Sequence, residues 1–210
     1  MSQPILPSDP TLIRDAATII LLRQIDNQTR VLMGQRGKTA AFMPGKFVFP
    51  GGAVDRQDFN ATAPREPDGM STTCRTRLAV EATPELASAI LVAARRELVE
   101  ETGLTLSACA SMRFVFRAIT PPKHTRRFDA RFLMCNAEDV IEDLDDFSRA
   151  EDELAHLQWV SVTEALSLDL PFVTRIVLAE IKDLALSQTP PDEVPFYDHR
   201  GLFGQIVSIC

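Results

Sequence analysis

Apolar positions recur along this chain with two different periods. Residues 16–22 form a short apolar run that includes Ile19 and Ile20, residues 30–34 form another, and Asp26-Asn27 separates them, a pattern that predicts a β-hairpin. Residues 46–50 add a third short strand with Phe47, Val48 and Phe49, ended by the breaker Pro50-Gly51-Gly52. From Pro84 onward Leu86, Ile90, Ala94, Leu98 and Glu101 recur at steps of three or four, so a helix is expected there. Pro84 with Glu85 suits its first turn, and Gly103 suits a left-handed C-cap.

Residues 113–119, 127–135 and 157–162 read as three further strands, the second rich in Phe128, Phe132 and Leu133 and the third carrying Trp159. A second helix is expected over residues 171–186, with Phe172, Ile176, Ala179 and Leu184 broadly on one side. Two stretches lack a period. Residues 1–10 hold three prolines and read as a loose lead-in, and residues 55–83 read as an inserted loop with at most a short helix. Strands interleaved with two main helices predict a layered α/β domain with a mixed sheet.

The length of 210 residues and 45% hydrophobic content support one sizeable core, hence a single domain over residues 1–210. Within it we expect an insertion at about residues 59–88 and a C-terminal helical and tail region at about residues 171–210. A net charge of −7 argues against a surface that holds long nucleic acid or an anionic membrane, while small anionic ligands remain open through local cations or a bound metal. Cys74, Cys109, Cys135 and Cys210 stand apart, with neither a C-x-x-C pair nor a histidine at ligand spacing, so no zinc site or disulfide framework is indicated. With no signal-like start and no run of 18 apolar residues, a reducing cytoplasm is the expected location.

The chemistry concentrates on the first predicted helix. Glu97, Glu100 and Glu101 lie at i, i+3 and i+4 and so project from one face, where like charges repel unless a cation joins them. Converging carboxylates suit a hard divalent ion, Mg²⁺ or Mn²⁺, shared with phosphate. On spacing alone a solvated acidic face with Arg95 and Arg96 accounts for them equally well.

The run Arg96-Glu97-Leu98-Val99-Glu100-Glu101-Thr102-Gly103-Leu104, preceded by Pro50-Gly51-Gly52, resembles the signature of the Nudix hydrolases, G-x5-E-x7-R-E-U-x-E-E-x-G-U with U aliphatic. The second half fits at every specified place. The first half departs from it. Counting from Gly52 reaches Asp58 and counting back from Arg96 reaches Ser88, where the family has Glu, and 37 residues separate Asp58 from Arg96 where the signature has seven. The excess is an insertion of 30 residues, and the identity of the first acid stays open.

The resemblance implies a Nudix-type α/β/α sandwich with a mixed β-sheet, and a metal-dependent hydrolase that cleaves a diphosphate bond. It implies Glu97, Glu100, Glu101 and the carbonyl of Gly51 as metal ligands, with Glu97 or a loop acid as base and Arg96 positioning the carboxylates. Glu153 is the expected loop acid, with Glu151 and Asp152 as rivals. Residues 32–36 and 42–52 further resemble the coenzyme A diphosphatases, and residues 119–121 and 127–132 an insertion-bearing branch near them. Coenzyme A or acyl-CoA is therefore the expected substrate class, with Arg36, Lys46 and Arg131 near its phosphates.

His124 reads as a solvated loop residue or a proton carrier, Phe128 and Phe132 as core residues of a strand, and Met33 and Met43 as packing. For residues 59–83 two roles stay open, a lid or homodimer element and a part of the core. The competing functional reading is a Nudix-fold ligand sensor without catalysis.

Overall fold

The computed structural model describes residues 12–60, 69–185, 187 and 189–210. The lead-in at residues 1–10 and residues 61–68 of the insertion lie outside the described residues. β1 (Ile13–Ile25) and β2 (Gln28–Arg36) form the expected hairpin, with Ile25 opposite Gln28. Asp26 and Asn27 take φ of 50° and 60°, a turn whose twist matches that of the paired strands. The third run is split into β3 (Phe47–Val48) and β4 (Gly51–Ala53) around Pro50, which has no N–H to give to a ladder.

Two helices follow, α1 (Thr72–Leu78) and α2 (Pro84–Thr102). Next come β5 (Arg113–Ile119), β6 (Arg127–Asn136) and β7 (Leu154–Ser161). The chain then forms α3 (Val162–Ala165), α4 (Phe172–Leu184), β8 (Val194–Asp198) and β9 (Gln205–Ile209).

The strands described join in one mixed sheet of order β3-β2-β1-β6-β5-β8-β9, with β4 added to β1 and β7 to β2. β1 runs parallel to β6, and β5 parallel to β8, while the other pairs are antiparallel. Helices cover both faces, which is why β1 buries residues of both parities instead of alternating. On one face Ala17, Ile19 and Leu21 pack with Ile90 and Leu98 of α2 and with Cys74 and Leu78 of α1. On the other face Ile20 and Leu22 pack with Val177, Leu178 and Ile181 of α4. This is the α/β/α sandwich that the pattern and the resemblance imply. Each fully buried Leu or Ile stabilises it by about 1.5–3 kcal/mol.

The structure sharpens the sequence reading in the insertion, in the C-terminal region and at the start of β7. The described part of the insertion carries a helix that reaches the core: Ser71 caps α1 by accepting the Cys74 N–H at 3.2 Å, and Cys74 and Leu78 are 0% and 1% exposed. Arg77 anchors the same helix from outside the sheet by donating to the carbonyls of Pro191 and Asp192. Residues 84–88, the end of the expected insertion, form the first turn of α2, where the helix was expected from Pro84. The C-terminal region turns from helix to strand: β8 lies beside β5 with Phe196 opposite Arg117, and β9 forms the edge. β7 begins three residues earlier than expected, at Leu154, because Leu154 is buried opposite Arg36 of β2.

Candidate active site

The acid-bearing helix is fixed at both ends by its own sequence. The Thr83 hydroxyl accepts the Leu86 N–H at 3.2 Å, Pro84 occupies the first turn, and Gly103 closes the helix at φ 76° with its N–H on the Val99 carbonyl at 2.8 Å. The last two turns thereby face β4, whose Gly51 and Gly52 stand opposite Thr18 and Ala17 of β1.

Arg96 is the hub of the site. Its Nε and Nη2 donate to the two oxygens of Asp58 at 2.9 and 3.0 Å, Nη1 donates to Glu97 and Glu100 at 2.8 Å each, and Nη2 also reaches the Ala53 carbonyl at 3.0 Å. Asp58 is 2% exposed and also accepts the Asp55 N–H at 2.7 Å, which folds residues 56–59 into a short 3-10 turn. The question left open by the two ways of counting is thus answered in space. Asp58 is the one brought to Arg96, whereas the Ser88 hydroxyl bonds back to Pro84 on its own helix. Forward counting from Gly52 was the signal that could have decided it.

Glu101 lies deeper, 2% exposed. One oxygen accepts the Gly51 N–H at 2.8 Å, and the other, Oε1, is buried with no hydrogen-bond partner among the described residues. Burial pushes its carboxyl up to about 8, eased by the Gly51 N–H and reinforced by the charges of Glu97 and Glu153. Glu97 is raised as well, first by burial, with Arg96 opposing and Glu100 and Glu153 adding to the rise. Close approach of the two elements depends on glycine: a Cβ on Gly52 would overlap the Glu97 carboxylate, and one on Gly51 would overlap the Ala17 carbonyl.

Two loops complete the polar end. The Glu151 N–H bonds the Glu100 carbonyl at 2.8 Å, which brings the acidic run 151–153 alongside α2. Glu153 then receives a 2.8 Å ion pair from Arg36 at the end of β2.

From this corner a cleft of about 500 Å³ runs over the sheet. Its polar end holds Glu97, Glu153, Gly51, Gly52 and Arg36, and Phe42, Met43, Phe128, Phe132, Phe172 and Tyr197 supply much of the remaining wall. Phe128 is not simply core. Its ring meets Phe42 edge-on at 5.1 Å inside the cleft, with His124 6.2 Å from Phe42 on the same rim. Phe132 is 6% exposed and packs against Phe116, and Met33 is fully buried, while Met43 lines the cleft.

The expected phosphate cations divide. Arg36 and Lys46 line the cleft, each held by an acid, Glu153 and Asp169 respectively. Arg131 does not reach it. Phe128, Ala130 and Phe132 of β6 face the cleft, so the two-residue period turns Arg131 to the opposite face, where it is 1% exposed and paired with Asp15 and Asp129.

The three carboxylates share a helix face, yet they do not converge on a point. Among the described residues no three carboxylate, imidazole or thiolate groups lie grouped so as to hold an ion, because Arg96 draws Glu97 and Glu100 to itself while Glu101 turns to Gly51. Chemically the set still fits a hard divalent cation. It offers oxygen donors only, it includes a buried oxygen without a partner among the described residues, and burial raises the pKa of two of its carboxyls, Glu97 and Glu101, whose charged forms a cation would favour.

Comparison with known proteins agrees with this geometry. The model of the NUDIX domain family matches residues 84–181. A Caenorhabditis elegans protein assigned by its name to the nudix hydrolases is 29% identical over 167 residues, covering 73% of this chain and 53% of that protein, so the chain spans about half the length of this relative. Among solved structures, a NUDIX hydrolase from Alicyclobacillus acidocaldarius is 25% identical, with a TM-score of 0.61 over 85% of this chain and 98% of the other. The NUDIX domain of Shewanella oneidensis NrtR, complexed with ADP ribose, shares the fold at a TM-score of 0.55 and 12% identity, over 83% of this chain and 89% of that one. The fold is the Nudix fold, and residues 84–181 are similar to the NUDIX domain family. The family match begins at Pro84, beyond the insertion, although Gly51, Gly52 and Asp58 stand against that helix in space.

Proposed function

We propose, on the premise that this chain has the Nudix fold and carries a NUDIX domain, that it is a metal-dependent pyrophosphohydrolase. Its substrate is a nucleoside diphosphate linked to a second group. The observation that carries the reading is the buried, unpartnered Oε1 of Glu101, set beside Glu97 and Glu100 where the polar end of the cleft meets Gly51 and Gly52.

Glu97, Glu100, Glu101 and the Gly51 carbonyl would hold Mg²⁺ or Mn²⁺. Such an ion, when bound, neutralises phosphate oxygens and lowers the pKa of an attacking water. Arg96 keeps Glu97 and Glu100 within reach of one another, and Asp58 holds Arg96. Glu153 is placed to take a proton from water at the edge of the site once a substrate phosphate competes for Arg36. Lys46 meets the diphosphate by exchanging Asp169 for phosphate oxygen.

The finer reading is coenzyme A or an acyl-CoA. An apolar wall that includes Phe42, Met43, Phe128 and Phe172 next to the diphosphate end suits a substrate with an apolar extension. A cytoplasmic protein accords with four free cysteines, two of them, Cys109 and Cys210, exposed.

The alternative, a ligand-binding module, draws on the Arg96 clamp that ties up Glu97 and Glu100. Activity decides between them. Coenzyme A, acyl-CoA, ADP-ribose, NADH and nucleoside triphosphates are each offered with Mg²⁺ or Mn²⁺, with and without chelator. Turnover that chelation abolishes, and that Glu100→Gln lowers at least ~100-fold in kcat without a change in unfolding midpoint, is the expected result. No turnover of any substrate, or an unaltered kcat in Glu100→Gln, overturns the proposal.

A further inference from the structure

The cleft has a second charged end. Four cations line it, and three are already engaged: Arg14 with Asp55, Arg36 with Glu153 and Lys46 with Asp169. Arg126 has no partner among the described residues. It stands on the turn between β5 and β6, where residues 121–127 contain Lys123, His124, Arg126 and Arg127 and no acid, on a chain whose net charge is −7. The turn leans on the opposite wall through the Thr125 hydroxyl, which donates to the Ala41 carbonyl at 3.2 Å, and through the His124 contact with Phe42. The local excess of positive charge is therefore presented at the lip of the cleft.

Register gives the spacing. On β1, Thr18 lies opposite Gly51 and Arg14 lies opposite Phe128. Four residue steps lead from Thr18 to Arg14, roughly 13 Å at about 3.3 Å per residue. The rings of Phe42 and Phe128 line the same cleft and meet edge-on, offering apolar surface to a planar group.

We propose that the lip around Arg126 binds a second anionic group of the substrate, a phosphate monoester or carboxylate separated from the scissile diphosphate by a planar or apolar moiety. The proposal rests on the pyrophosphohydrolase reading and narrows its substrate class to molecules with two separate anionic centres. The guanidinium of Arg126 supplies the fork of donors that suits phosphate oxygen, and its lack of a carboxylate partner removes the competitor that the other three cations must first give up.

The test uses probes that differ by a single phosphate: coenzyme A against 3′-dephospho-coenzyme A, and NADPH against NADH. Wild-type protein should favour the member with the extra phosphate by roughly fivefold or more in kcat/KM, the worth of one exposed charge-assisted hydrogen bond. Arg126→Ala should bring that ratio to about one, and Arg126→Lys should restore part of it. Equal kcat/KM within both pairs for wild type overturns the proposal, as does an Arg126→Ala variant that lowers both members alike.

Binding separates this inference from the enzyme reading. Calorimetric titration with adenosine 3′,5′-bisphosphate and with adenosine 5′-monophosphate needs no turnover. A preference for the bisphosphate that Arg126→Ala abolishes, in a protein that hydrolyses nothing, upholds the lip and refutes the enzyme. Turnover together with equal affinity for the two ligands does the reverse.

Discussion

Removing the Asp58 carboxylate tests the architecture of the site more directly than removing a ligand. Asp58→Ala deletes an acceptor that takes two hydrogen bonds from Arg96 and one from the Asp55 backbone, at a position 2% exposed. Breaking a fully buried ion pair from one side costs about 3–5 kcal/mol. The Arg96 side chain is 17% exposed and keeps Glu97, Glu100 and the Ala53 carbonyl, so part of its charge remains compensated. A loss of about 2–3 kcal/mol is expected, since hydrogen bonds to charged groups contribute ~1.5–3 kcal/mol each and one side of the pair survives. For a chain of this size that lowers the thermal midpoint by roughly 4–12 °C.

Catalysis should suffer separately. With Asp58 gone, Arg96 no longer holds Glu97 and Glu100 in place, and kcat/KM should fall about 10–100-fold, the usual effect of losing a group that orients metal ligands. Asp58→Glu restores the charge but adds a methylene to a closed space, at a cost of about 1–3 kcal/mol, and should recover more activity than stability. The assays are calorimetric or denaturant unfolding, paired with steady-state kinetics on whichever substrate the panel identifies. The double variant Asp58→Ala with Arg96→Ala should lose less than the sum of the singles by about 1–3 kcal/mol. A midpoint within about 1 °C of wild type, as for a neutral surface change, together with unchanged kcat/KM refutes the assignment of Asp58 as the anchor of Arg96.

Two further outcomes follow from burial. Leu78→Ala, in the inserted segment, should destabilise by about 2–5 kcal/mol as a core truncation does, and deleting residues 59–83 should unfold the protein instead of altering substrate choice; a folded deletion variant would show the segment to be peripheral. Arg131→Ala should cost about 2–4 kcal/mol through the stranded Asp129 and Asp15, discounted for the partly exposed Asp15, and leave KM for diphosphate substrates as it is; a raised KM in a folded variant would place Arg131 in the binding surface after all.

What was legible in the sequence is what short range decides. The Asp26-Asn27 turn, the Thr83-Pro84 start and Gly103 stop of α2, and the common face of Glu97, Glu100 and Glu101 follow from spacing and backbone preference, and the structure has each of them. The two C-terminal strands were partly written there too, in the alternation of Val194, Phe196 and Asp198, but Pro195 and the prolines before it obscured the period. Segment 72–78 shows just two buried apolar residues four apart, Cys74 and Leu78, too few to reveal that it belongs to the core.

Tertiary structure decided between the two counted positions: counting forward from Gly52 points to Asp58 and counting back from Arg96 to Ser88, and it is Asp58 that the fold brings to the Arg96 guanidinium across 37 intervening residues. It likewise decided which face of β6 meets the cleft, sending Phe128 to the cleft side and Arg131 to the interior. The physical reason is the same in both cases. A side chain's role depends on what lies opposite it, and in a mixed sheet covered by helices on both faces that neighbour is set by strand order and register, which local periodicity does not encode.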